Sequence, residues 1–521
     1  MNVIITLAGH SRRFREAGYD VPKFMIEVHG RKIIERVVEM FDYRDIFHFV
    51  LNKNQVDEDK NLVNFISNLS PKANLYVIDP HEEGPVTSAL QVNNIADNEE
   101  VIVSYCDFLV EWDYKRFKRE VSGYEMAIPS FSGFHPASFG ETFYAYMKTD
   151  ENNNLVELKE KESFTSNRID EPASVGIYYF SNWKNFKIYA NKLLNAGYGN
   201  LKEGYVSLLA NLFVKDNLSV RVPKVSKFIC LGTPSDLEQY IFWGKYFLNR
   251  LDNNSIIKEG KPLNNTTNLI PMAGGGSRFS NENYRSRKPF IKINDKPMVI
   301  HAIKSLPSAA SWIFLPLQED IRKHNFSLLL EQELDTNFEI LPVEKITSGQ
   351  AATCLLADKI LDDNAHLLIA SIDYQSVYDI KDWQREVDSG ADVLIWTTTL
   401  GSNSFKDFNA FAYCKVDSTG NVLRVVEKST ISDSPQFDEM VTGTFWFRRA
   451  EDFKICANHA IQENITINGE HYIGNSINTL IENGKSVKVF HIDQWVSFGD
   501  PFEMDIYLYW EDYFCKENIR N

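Results

Sequence analysis

Compared with itself, the chain falls into one register from end to end, and that register constrains the fold more than any other feature. Gly9 meets Gly274 and Lys23 meets Lys288 at an offset of 265 residues. Asp107 meets Asp373 and Asp113 meets Asp379 at 266. Glu160-Lys161 meets Glu427-Lys428, Glu203 and Tyr205 meet Glu470 and Tyr472, and LGTPSDLEQYIFW (231–243) meets FGDPFEMDIYLYW (498–510), all at 267. A drift of two residues over such a span marks a tandem duplication. Whatever one copy folds into, the other must fold into as well.

Each copy is about 245–255 residues long, so the 521-residue chain exceeds what a single core can organise. Short apolar runs (VIITL, LYVID and VIVSY, then NLIPM, HLLIAS and DVLIWTTT) alternate with longer patterned stretches such as RKIIERVVEMF. Strands bounded by turns and separated by helices predict βαβ units, hence two tandem three-layer α/β domains with mainly parallel sheets. Their expected spans are 1–247 and 267–521, joined through a polar, Asn-rich linker at 248–266.

The net charge is −16, from 55 basic and 71 acidic residues, with no long basic stripe. This argues against nucleic acid as a partner. No run reaches the length of a membrane span, and nothing resembles a leader, so no membrane insertion is expected. The six cysteines are scattered without a CxxC, and the eleven histidines show no HxxxH. Zinc is therefore not expected, and a reduced, cytoplasmic protein is.

In a parallel α/β sheet, ligands bind beyond the carboxyl ends of the strands. The first strand of each copy runs into Leu7-Ala8-Gly9-His10-Ser11 and Met272-Ala273-Gly274-Gly275-Gly276. Consecutive glycines let backbone N–H groups approach a bulky anion. Arg13 or Arg278 adds a guanidinium fork, and Lys23 or Lys288 a compact charge. A tight turn flanked by solvated basic residues is the alternative. Asp107 and Asp373 stand at the tips of core strands, where packing does not call for an acid; a helix N-cap is the competing explanation. Gly484-Lys485-Ser486 reads as a helix C-cap, since a strand rather than a helix follows it.

The pattern (L/M)AGxxxRF, then PK or KP, then the later Asp, resembles the sugar-phosphate nucleotidyltransferases. LAGHSRRFREAGYDVPKFMIEVHGRKII is similar above all to members serving bacterial capsule and surface-polysaccharide pathways. The resemblance spans both copies and implies two Rossmann-like nucleotidyltransferase domains. It further implies transfer of a nucleoside monophosphate from an NTP to a phosphorylated sugar or similar small acceptor, with release of pyrophosphate. Mg²⁺ is the implied cofactor, held by Asp107 and Asp373. Arg13, Lys23, Arg278 and Lys288 are then catalytic. Ala8, Gly9 and Gly84, with Ala273, Gly274, Gly275, Gly276, Gly349 and Gln350, bind nucleotide. Glu160, Lys161 and Gly176, with Glu427, Lys428 and Gly443, bind the acceptor; an exposed ion pair is the alternative for each Glu-Lys pair. The family's second acidic metal ligand, shortly before a Gly, is replaced here by Cys230 and Ser497, so coordination by one Asp is expected.

His10 and Ser11 stand where the second copy has Gly275 and Gly276, and side chains there are expected to crowd a triphosphate. The second copy is thus the expected catalyst and the first either active or a regulatory or scaffolding domain, the two packing as a pseudo-dimer. A glycosyltransferase of related fold would carry D-x-D, where this chain has YCDF and SIDY. A nucleotide-sugar-binding protein without turnover is the other competing class.

Overall fold

A computed structural model describes residues 1–140, 142–253, 263–282, 284, 286–401 and 407–520. The chain divides into two compact units, Met1–Ile241 and Phe242–Asn521. The first contains β1 (Asn2–Thr6), β2 (Ile46–Asn52), β3 (Ala73–Ile78), β4 (Val101–Ser104), β5 (Met126–Ala127), β6 (Ile177–Phe180) and β7 (Val220–Arg221). These lie in the order β3-β2-β1-β4-β6-β5-β7. The second contains β8 (Leu263–Pro271), β9 (Ala309–Leu315), β10 (Asn337–Ile340), β11 (His366–Ala370), β12 (Val393–Thr398), β13 (Glu439–Phe447) and β14 (Val487–His491). Their order, β10-β9-β8-β11-β13-β12-β14, is the same path through the same repeat. Along these two seven-strand paths β6 or β13 is antiparallel to both neighbours and the remaining pairings are parallel; in the second sheet an antiparallel hairpin, Ala412–Val416 with Val422–Glu427, also joins β13.

The first strand of each unit is central because both its faces are apolar: Val3, Ile4 and Ile5, and Leu269 and Ile270, are fully buried. Helices cover the sheets and complete the cores, with Trp183, Phe186 and Phe213 in the first unit and Phe453, Cys456 and Ile473 in the second. Among the described residues no helix is long and apolar enough to cross a membrane.

Both ends of the anticipated linker are regular structure. The helix Pro234–Asn253 runs past residue 248, and the division between units falls inside it. β8 starts at Leu263 and pairs with β9 from Leu263↔Ala309 onward. Asn is poor local evidence for a strand, but two flanking partners supply the ladder and override propensity. The middle of the linker, 254–262, lies outside the described residues.

Candidate active site

In each unit the chain leaves the central strand through the glycine-rich turn and returns along a short 3₁₀ turn, Lys23–Met25 or Lys288–Phe290. The return brings the lysine onto the tip of the neighbouring strand. Lys23 Nζ lies 2.6 Å from Asp107 Oδ2, and Lys288 Nζ lies 2.6 Å from Asp373 Oδ2 and 2.8 Å from the Gly499 carbonyl oxygen. Burial alone would depress the Lys23 ammonium, but the charge of Asp107 and its hydrogen bond turn the net shift upward. It therefore stays protonated at neutral pH. Asp107 and Asp373 are not helix caps: each is followed by a strand, Phe108–Glu111 or Tyr374–Val377. The capping role belongs to Asp113 and Asp379, which accept from the N–H groups of Arg116 and Lys381.

The turns differ in sequence yet share a backbone. Gly276 has φ 61° and its counterpart Ser11 has φ 53°, both left-handed. Ser11 tolerates this because its hydroxyl accepts from the Lys23 N–H at 3.1 Å. His10 donates its ring Nε2 to the His81 carbonyl at 3.3 Å, so its imidazole is tied to the protein. Ala8 and Ala273 are buried beneath the turns. Arg13 and Arg278, on the helices that follow, are exposed.

The glycines fall into two kinds. A Cβ added at Gly9, Gly274 or Gly275 would meet nothing within 4 Å, so no protein atom requires glycine there. Gly84 and Gly349 are packing positions, where a Cβ would come 2.9 Å from the Gly204 nitrogen or 2.5 Å from the His471 nitrogen. At Gly176 it would meet the Phe108 ring at 2.8 Å, and at Gly443 the Ser371 hydroxyl at 3.2 Å. Gly349→Ala also has to hold φ 130°, and is expected to cost roughly 2–4 kcal/mol of stability in the second unit. Gly275→Ala is expected to change it by no more than about 0.5 kcal/mol. Chemical denaturation of the two variants tests the distinction; equal midpoints contradict it.

Glu160 and Glu427 end equivalent strands, and Lys161 and Lys428 follow with φ 58° and 54°. Two non-glycine residues held in that region at one repeat position indicate local strain that the fold maintains. Both residues are half-buried, and that burial pushes both carboxyls upward. Ser207 donates its hydroxyl to Glu160, whereas Gly474 occupies the corresponding place beside Glu427. Lacking that donor, Glu427 is pushed up to about 7, against the opposing pull of Lys428 and the Asn475 N–H. Gln350 donates to the Ser371 hydroxyl at 3.2 Å, two residues from Asp373.

Among the described residues no group of three or more His, Cys, Asp or Glu side chains could by itself hold a metal ion. One further carboxyl per unit nonetheless stands near the strand-tip aspartate. Beside Asp373, Glu503 accepts from the Gly499 N–H at 2.9 Å, and a Cβ on Gly499 would lie 2.8 Å from Glu503 Oε2 and 3.9 Å from Asp373 Oδ2. Its counterpart Asp236 accepts from Thr233 Oγ1 at 2.6 Å and from Cys230 Sγ at 3.3 Å. Burial pushes the Asp236 carboxyl up, against those hydrogen bonds and the charge of Arg13. Beside the strand-tip aspartate expected to act alone, each unit thus places a second carboxyl, from the first turn of the helix that follows positions 230 and 497. The aligned pair Asp236/Glu503 carried that signal in the sequence.

The MobA-like NTP transferase domain family matches residues 3–162, and the nucleotidyl transferase family matches residues 268–513. The chain is a tandem of two nucleotidyltransferase domains. A curated relative, the UTP–glucose-1-phosphate uridylyltransferase AglF of Haloferax volcanii, is 22% identical over 243 residues, covering 46% of this chain and 93% of its own. Among solved structures, a nucleoside-diphosphate-sugar pyrophosphorylase from Vibrio cholerae RC9 aligns at 21% identity and TM-score 0.38, over 46% of this chain and 99% of that one. The inositol-1-phosphate CTP transferase of T. maritima aligns at 13% and 0.35, over 45% and 90%. In this tandem nucleotidyltransferase, each domain assembles its own glycine turn, lysine, strand-tip aspartate and Glu-Lys pair.

Proposed function

We propose that the chain transfers a nucleoside monophosphate from an NTP to a phosphorylated sugar or similar small acceptor, releasing pyrophosphate, with the second domain as catalyst. The product would be a nucleotide-activated precursor for surface polysaccharide, made in the cytoplasm. One observation carries the reading. The ammonium of Lys288 meets the carboxylate of Asp373 at 2.6 Å, directly behind a turn whose glycines Gly274 and Gly275 face open space.

In this reading the turn's N–H groups and Lys288 take the phosphate tail of the nucleotide, and Arg278 closes on it from the exposed side. The acceptor's phosphate oxygen is already a nucleophile, so no protein base has to remove a proton. Glu427 accepts from acceptor hydroxyls, Lys428 faces its phosphate, and together they align the oxygen for in-line attack on the α-phosphorus. Gln350 and the loop around Gly349 lie against the base. Asp373, with Glu503 nearby, fits Mg²⁺, which typically takes one or two carboxylates and fills its octahedron with phosphate oxygens and water. Bound there, the ion would supply charge neutralisation for the phosphates and the leaving pyrophosphate. The first domain keeps the pair Lys23–Asp107 but has His10 and Ser11 in its turn, and is assigned nucleotide binding in a regulatory or scaffolding role.

Pyrophosphate release with each NTP, Mg²⁺ and a panel of phosphorylated sugars and polyols tests the proposal. Acceptor-dependent release is expected; nucleotide binding without turnover would overturn it. Gly275→Ala should raise the KM for NTP about tenfold at unchanged stability.

A further inference from the structure

The two domains hold the carbonyl side of the same turn by different chemistry. In the first, the helix Lys53–Glu58 starts straight after β2 and carries Gln55 in its first turn, buried. The Gln55 amide donates to the carbonyls of Leu7 at 3.1 Å and Gly9 at 3.0 Å, and Asn52 Nδ2 donates to that of Ala8 at 3.2 Å. At the offset of 265, Gln55 becomes Asp320 and Asn52 becomes Leu317. An ionised carboxylate only accepts and a leucine does neither, so this pair cannot hold carbonyls.

The second domain solves the problem from another position. Arg287, which replaces Pro22, donates from Nη2 to the Gly274 carbonyl at 2.8 Å. Gly274 is the counterpart of Gly9. The same guanidinium sets Nε 3.3 Å from Asp320 Oδ2 and Nη1 3.8 Å from Glu319 Oε1. Asp320 is 1% exposed, and among the described residues neither of its oxygens has a hydrogen-bond partner. A carboxylate buried to this degree needs a countercharge, and Arg287 is where it finds one. The substitutions at 55/320 and 22/287 therefore compensate each other: amide and proline in one domain, carboxylate and arginine in the other.

We propose that Arg287 and Asp320 are the positioning pair of the second domain's phosphate turn. Because the peptide is planar and trans, fixing the Gly274 carbonyl toward Arg287 turns the Gly275 N–H to the opposite side. Asp320 holds the guanidinium, and the guanidinium holds the peptide. Neither residue has to touch the nucleotide.

The kinetic part of the test rests on the second domain being the NTP site; the exchange part does not. In the full chain carrying Lys23→Ala, Asp320→Ala is expected to raise the KM for NTP about tenfold with kcat changed less than twofold. Without nucleotide, it should also speed hydrogen exchange across 272–280. Asp320→Gln combined with Arg287→Pro rebuilds the Gln55 and Pro22 part of the first domain's arrangement, with Leu317 kept, and should restore both readings. Proline fits there, since Arg287 has φ −66° and Pro22 has φ −56°. Unchanged exchange and KM in Asp320→Ala would overturn the pair, as would a loss of thermal stability with KM unmoved and no recovery in the double variant. Absence of turnover in the Lys23→Ala chain, with the exchange pattern as expected, would overturn the functional assignment and leave the pair standing.

Discussion

Lys288→Ala is expected to lower acceptor-dependent pyrophosphate release by about 10²–10³-fold, and Lys23→Ala to leave most of it intact. The magnitude is that of removing one preorganised charge from a site where phosphate charge develops. The Lys288 ammonium touches the Asp373 carboxylate and the Gly499 carbonyl together, so its loss also leaves a partly buried acid without its partner. Lys288→Arg is expected to recover little, because a planar fork cannot meet both groups as a compact ammonium does. Steady-state rates of the two alanine variants decide between domains. Full activity in Lys288→Ala with loss in Lys23→Ala would move catalysis to the first domain.

Acceptor use by the second domain is expected to rise with pH through about 7. Burial is the largest influence on the Glu427 carboxyl, which is pushed from 4.5 to about 7. If the carboxylate form accepts from acceptor hydroxyls, kcat/KM for the acceptor falls on the acid side of this value. Glu427→Gln should flatten the limb and cost about two orders of magnitude at pH 8. Stability runs the other way. A carboxyl that binds its proton more tightly folded than unfolded contributes fully below the unfolded value and loses that contribution as pH rises through the folded one. Glu427→Gln should therefore stabilise the second domain at pH 8, by up to about 3 kcal/mol, and leave it unchanged near pH 4. Gly474→Ser restores the hydroxyl that Ser207 offers Glu160. A Cβ there would lie 2.5 Å from Glu427 Oε1, a terminal atom that can rotate away and accept from the new hydroxyl. The acid limb should move to lower pH. A limb that stays put in both variants would exclude Glu427 as its source.

Much of the site was legible because it lies on local signals repeated at a fixed spacing. The apolar run, the glycine turn, the distal lysine and the strand-tip acid each recur, and the structure joins Lys23 to Asp107 and Lys288 to Asp373. Sequence alone did not show how His10 and Ser11 fit the turn. Ser11 adopts the left-handed backbone of Gly276, and the His10 ring is tied back to the His81 carbonyl. Glycine identity alone did not separate Gly275, which faces open space, from Gly349, which is pressed against the His471 backbone.

The sequence by itself determined the duplication, the α/β class and the pairing of a basic turn with an acid on the next strand. Those properties are periodic along the chain and so survive in one dimension. Only the tertiary structure decided which glycines face empty space, that Asp236 and Glu503 stand near the strand-tip aspartates, and that Arg287 with Asp320 replaces Gln55. These depend on distances between segments far apart in sequence. A carboxylate with an arginine and an amide with a proline share no residue type, so the exchange becomes visible only where both meet the same carbonyl.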